Sequence, residues 1–215
     1  MCPYRSYLCS HALYLVAALS LLVLVACGPK VMVPPNVDLA VFRNIGLIDF
    51  TSNAEGNIAD YATQKFLETV TASQPDARIV ELGTAEDVLA KVGAEKMDLM
   101  AVEAIAMEYG VEGLITGNLD VSDVQPHVSI SPDLAGLGFK ADIEATLTAR
   151  LIDTSDGATV WTSSAKGHKT VADVNIFSGG VFIFDAKDPA KAYGPLVDRL
   201  VDEVTYDLRV RYERQ

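Results

Sequence analysis

At 215 residues and a formal net charge of −12, with 29 acidic against 17 basic side chains, the chain is acidic and long enough for one hydrophobic core. That balance argues against nucleic acid and anionic lipid headgroups as partners, since both are held by lysine and arginine. The cysteines are Cys2, Cys9 and Cys27, so everything beyond residue 27 must be stabilised by packing and not by internal disulfides.

The N-terminal residues read as an export signal. Met1 to His11 carry Arg5 and no acidic residue, and an apolar run follows from Ala12 to Ala26. The run is shorter than the roughly 20 residues a membrane-spanning helix needs, and Gly28-Pro29 ends it. The stretch Leu24-Val25-Ala26-Cys27 resembles the lipobox of bacterial lipoproteins. The resemblance implies cleavage between Ala26 and Cys27, covalent lipid on Cys27, and anchoring without a span, each buried CH₂ contributing about 0.8 kcal/mol. Gly28 stands where an aspartate would signal inner-membrane retention in that family, which implies the outer membrane, with the domain facing the periplasm. Residues 1–26 are therefore expected to be a signal peptide, 27–43 a lipidated N-terminus with an extended tether containing Pro34-Pro35, and 44–215 a single folded domain.

In the domain, Asn44 to Phe50 reads as a short buried strand. A helix from Asn57, with Ile58, Tyr61, Ala62, Phe66 and Val70 on one face, stops before Pro75. Ala77 to Leu82 is a second strand, and Thr84 to Asp87 caps a helix reaching Val92. A helix from Asp98 to Tyr109 is expected to turn Leu99, Val102, Ile105 and Ala106 inward, with Gly110 as its terminal cap. Gly113 to Val121 is a third strand. Ala141 to Asp153 alternates, with Ile143, Ala145, Leu147, Ala149 and Leu151 on the buried side. Asp156-Gly157 turns it into a partner strand, Ala158 to Lys166. A closing amphipathic helix spans about Pro195 to Arg211. The expected class is α/β, a mixed sheet of about five strands with a β-hairpin, covered by about four helices.

The strand NIGLIDF, the segment Val111 to Leu119 and the hairpin from Ala149 through Gly157 to Trp161 resemble the lipoprotein domain shared by the curli-secretion pore protein CsgG, the penicillin-binding-protein activator LpoB and the N-terminal domain of TolB. That resemblance implies protein–protein work in the cell envelope. Fold alone does not choose among its members. An oligomeric curli-type channel would need barrel strands of about 9–11 alternating residues from the inserts 122–140 and 167–188, and in the first of these Pro126 and Pro132 are expected to interrupt both strands. A synthase activator needs a longer tether than residues 28–43 provide.

Catalytic chemistry finds no frame. No serine stands in G-x-S-x-G, and Gly179-Gly180 lacks a phosphate-loop pattern. His127 and His168 have no metal-ligand spacing around them, and Trp161 reads as a packing residue. The expectation is a non-enzymatic protein without metal or cofactor apart from the lipid on Cys27, working with other envelope proteins or with copies of itself. The candidate interface is the apolar cluster Ile176, Phe177, Val181, Phe182, Ile183 and Phe184, which would expose too much apolar surface if left uncovered.

Overall fold

The computed structural model describes residues 30–130, 137–172, 175–176, 182–184 and 188–214. They fall into two compact units. In the smaller, β1 (Lys30–Val33) pairs antiparallel with a strand at Arg211–Arg214, joining Lys30 to Arg214 and Val33 to Arg211.

The larger unit, residues 35–209, is a mixed α/β domain. It opens with a 3-10 turn at Leu39–Val41 and β2 (Ile45–Ile48), whose residues are all buried. Then come β3 (Thr51–Ser52), β4 (Glu55–Gly56), α1 (Ile58–Ser73), β5 (Ile79–Gly83), α2 (Ala85–Val92) and α3 (Leu99–Tyr109). Three long strands follow: β6 (Gly113–Ile130), β7 (Leu137–Asp153) and β8 (Thr159–Ala172). The short strands β9 (Asn175–Ile176) and β10 (Phe182–Phe184), then α4 (Pro189–Ala192) and α5 (Gly194–Val204), complete the unit, and the terminal strand Arg211–Arg214 is β11.

The main sheet runs β5-β2-β6-β7-β8, with β3 also on β6. β2 lies parallel to β5 and β6, whereas β6, β7 and β8 are successively antiparallel. One face is covered by α1 and α5: Ile58, Ala62, Phe66 and Val70 meet Leu196, Leu200, Val201 and Val204 over the fully buried row Ile143, Ala145, Leu147, Ala149 and Leu151. Trp161 packs in the same core. The other face is covered only in part, where α2 and α3 place Val88, Val102 and Ile105 on Ile48, Leu114 and Ile152.

The local signals act as the sequence predicts. Thr84 Oγ1 accepts from the Asp87 amide at 3.2 Å and donates to its carboxylate at 2.7 Å, capping the start of α2. Asp98 caps α3 through the Ala101 amide at 3.1 Å. Gly110 ends α3 at φ 66°, and Gly157 closes the hairpin turn at φ 73°, both in the left-handed region where a Cβ is strained.

Four expectations change. The supposed tether is partly folded: Lys30–Val33 is paired, and Leu39 is fully buried, so packing begins before residue 44. The closing helix ends at Val204, a 3-10 turn at Tyr206–Leu208 buries Leu208, and the chain leaves as a strand. Leu99 is 50% exposed: it is the first residue of α3, and the helix turns Ala101, Val102 and Ile105 inward instead. Of the two prolines expected to break the first insert, Pro126 does not, and Pro132 lies outside the described residues. β6 runs through Pro126 to Ile130, because beyond Leu119 β6 pairs among the described residues only with β7, and an edge position tolerates the missing N–H.

Candidate functional site: an extended ribbon and an open cleft

β6, β7 and β8 continue past Val121, Ile143 and Gly167 as a paired ribbon. The pairing Ser122↔Glu144 is followed by Gln125↔Asp142, so one extra residue is accommodated in β6 as a bulge. After it the register pairs Pro126↔Ala141, Val128↔Phe139 and Ile130↔Leu137, alternating with Gln125↔Asp142, His127↔Lys140 and Ser129↔Gly138. Directly opposed residues of an antiparallel pair share a face. The register therefore assigns three wholly apolar pairs to one face and polar or glycine pairs to the other. On β7 the apolar positions 137, 139 and 141 have the same parity as the buried row from Ile143 to Leu151, so this face prolongs that of the core. β8 accompanies the ribbon as far as Ala172, opposite Lys140.

The second insert lies in a small sheet of its own, β4-β10-β9. Phe182 pairs with Ile176 and Ile183 with Asn175 in antiparallel register, while Ile183 and Phe184 run parallel to Glu55 and Gly56. Of the candidate interface residues, Ile176, Phe182, Ile183 and Phe184 are thus strand residues. Phe177 and Val181 lie outside the described residues, as do the proposed lipidation and cleavage residues Cys27 and Ala26 and the Gly179-Gly180 turn. The strand β4 is fixed where the ribbon leaves the core: the Asn53 carboxamide accepts from the Val121 amide at 2.8 Å and donates to its carbonyl at 2.9 Å. The Tyr193 hydroxyl donates to Asn57 at the start of α1. Both inserts consequently leave the domain near Val121.

A separate cleft of about 490 Å³ lies at the carboxyl end of β2, on the sheet face that α2 and α3 leave open. It offers the Asp49 carboxylate, the Arg150 guanidinium, the Asn118 amide and the hydroxyls of Thr51, Thr116 and Thr148. Arg150 Nε donates to Thr116 Oγ1 at 3.1 Å, and Thr51 Oγ1 donates to Asn118 Oδ1 at 3.0 Å. Burial, reinforced by the like charges of Asp60, Glu81 and Asp87, raises the Asp49 pKa above its ordinary 3.8. The lining supplies hydrogen-bonding groups and two opposite charges but neither thiol nor imidazole. His168 is exposed on β8. Among the described residues no cluster of metal-ligating side chains forms, and no helix is long and apolar enough to cross a membrane.

No protein-family model matches the sequence, and no curated protein matches it. Among solved structures the chain is similar to the PelC dodecamer of Paraburkholderia phytofirmans, at 16% identity over 86% of this chain and 99% of that one, with a TM-score of 0.44. It is also similar to the C-terminal domain of LpoB from Salmonella enterica (14% identity, 64% and 84% covered, TM-score 0.36). A third is lipoprotein GNA1162 of Neisseria meningitidis (17% identity, 59% and 83% covered, TM-score 0.35). An LpoB domain, which the sequence resemblance names, is thus among the similar structures. At such identities no role is carried from them to this chain.

Proposed function

We propose that this chain is a non-enzymatic envelope lipoprotein, anchored to the outer membrane through lipid on Cys27, that works in envelope assembly or secretion by binding other proteins or further copies of itself. The observation that carries the reading is the ribbon. Past the bulge its register places three apolar pairs on the face that carries the core row, and an apolar sheet face needs a cover, which a partner protein or a further copy would supply. The test is the double variant Val128→Ser, Phe139→Ser in crosslinking experiments on living cells. Crosslinked partners or oligomers should disappear while the thermal midpoint changes by only a few degrees, since the pair lies past the bulge that divides the ribbon from the core row. Unchanged crosslinking together with a strongly lowered midpoint would overturn the reading.

A second reading, an oligomeric curli-type channel, is favoured by one feature: strand pairing that alternates apolar and polar through Pro126. It requires a heat-resistant ring and conductance steps in planar bilayers. A detergent-solubilised monomer without conductance would exclude it.

A further inference from the structure

Helix α3 (LMAVEAIAMEY) differs from α1 and α5 in being apolar around most of its circumference. Ala101, Val102 and Ile105 fill its inner side, yet Met100 and Met107 are 79% and 81% exposed. With Ala104 between them they occupy positions i, i+4 and i+7, an apolar stripe along the outer side of the helix. Beside the stripe, where the α2–α3 connection meets the start of α3, lies a groove of about 410 Å³ lined by apolar Val92, Ala94, Met100 and Ala104 and by charged Glu95, Lys96 and Asp98. A surface helix normally keeps its solvent side polar, so two methionines this exposed, with Glu103 between them, mark a face that combines apolar contact with negative charge. Of the five methionines in the chain, Met97, Met100 and Met107 lie on or just before this helix. Unbranched thioether side chains suit a surface that adapts to what it binds.

The rim identifies the occupant. Lys91 is engaged by Glu108 at 3.1 Å and lies 4.4 Å from the Tyr109 ring centroid, and Lys96 is paired with Asp98 at 3.6 Å. Glu95 and Glu103 are exposed and meet no cation among the described residues. With Glu95, Asp98, Glu103 and Glu108 against Lys91 and Lys96, the face is acidic on balance, so a second copy docking by the same face would bring two surfaces of like net charge together, which is costly. We propose that the α2–α3 face docks a basic amphipathic helix of a partner protein, its apolar residues at i, i+3 or i+4 and i+7 entering the groove and its lysines or arginines meeting Glu95 and Glu103. This surface is distinct from the ribbon and stands whether or not the ribbon reading holds.

The test uses the full chain with methyl-labelled methionine and an 18-residue leucine–lysine model peptide with leucines at helical spacing. Its glutamate-for-lysine counterpart is the control. The Met100 and Met107 methyl signals should shift on titration with the lysine peptide while that of Met32 stays in place, and the glutamate peptide should leave all of them unmoved. The double variant Glu95→Lys, Glu103→Lys should weaken binding about tenfold or more at unchanged thermal midpoint, both residues being exposed. Absence of binding, equal binding of the glutamate peptide, or binding that leaves the Met100 and Met107 signals unmoved would each overturn the proposal. So would shifts of those two signals with protein concentration alone, which would make a second copy the occupant.

Discussion

Gln74 is a buried amide that ties the end of α1 to two remote stretches of backbone, residues 37–39 and Leu208. Its Oε1 accepts from the Leu39 amide at 2.7 Å, and its Nε2 donates to the Val37 and Leu208 carbonyls at 2.8 and 2.9 Å. Replacing it by leucine would keep the volume but strand those backbone groups without water or partner. Gln74→Leu should therefore cost about 2 kcal/mol or more and lower the thermal midpoint by at least roughly 4–8 °C, as read by calorimetry. Asp49 works in the opposite sense. Its pKa is raised in the fold, so the native state holds the proton more tightly than the unfolded chain does, and ionisation destabilises. That penalty is full above the raised value and absent below the ordinary 3.8. Asp49→Asn should melt above the parent at neutral pH, with the difference closing as the pH falls toward 4. A gain of constant size across that range would show that the carboxyl is not the cause.

The elements that sequence could reveal are those whose side-chain period stays unbroken. The helix from Ile58 to Ser73 and the strand from Ile143 to Leu151 keep one period from end to end, and both lie where the pattern puts them. β6 does not keep its period. Its core-facing residues are odd-numbered as far as Val121; after the bulge the register assigns the apolar face to positions 126, 128 and 130. A single inserted residue reverses the parity. Read as one string, the segment looks irregular, and Pro126 strengthens that impression. The only signals that could have revealed the ribbon were the matched two-residue spacings Pro126-Val128-Ile130 and Leu137-Phe139-Ala141. The α2–α3 face is illegible for a different reason: α3 is apolar on both sides, so periodicity alone cannot say which side is buried, and Leu99, expected inward, is half exposed. Gln74 gives no sequence signal at all, because its three partners are remote along the chain.

At the scale of the whole molecule, the proposed lipid anchor on Cys27 would decide where these surfaces operate. Cys27→Ala should move the chain from the membrane fraction to the soluble periplasmic fraction, with the thermal midpoint of the domain unchanged. Persistence in the membrane fraction would refute the lipid anchor. The contacts of Gln74 carry a further consequence, for the order in which the chain can be completed. Synthesis proceeds from the N-terminus, and Leu208 lies 134 positions after Gln74. Until that residue has emerged, the N-terminal segment at 37–39, the end of α1 and the sheet beneath them cannot close around a satisfied amide. An unfinished or prematurely stopped chain thus keeps an open seam in its core, which gives a protease a way to tell incomplete copies from finished ones.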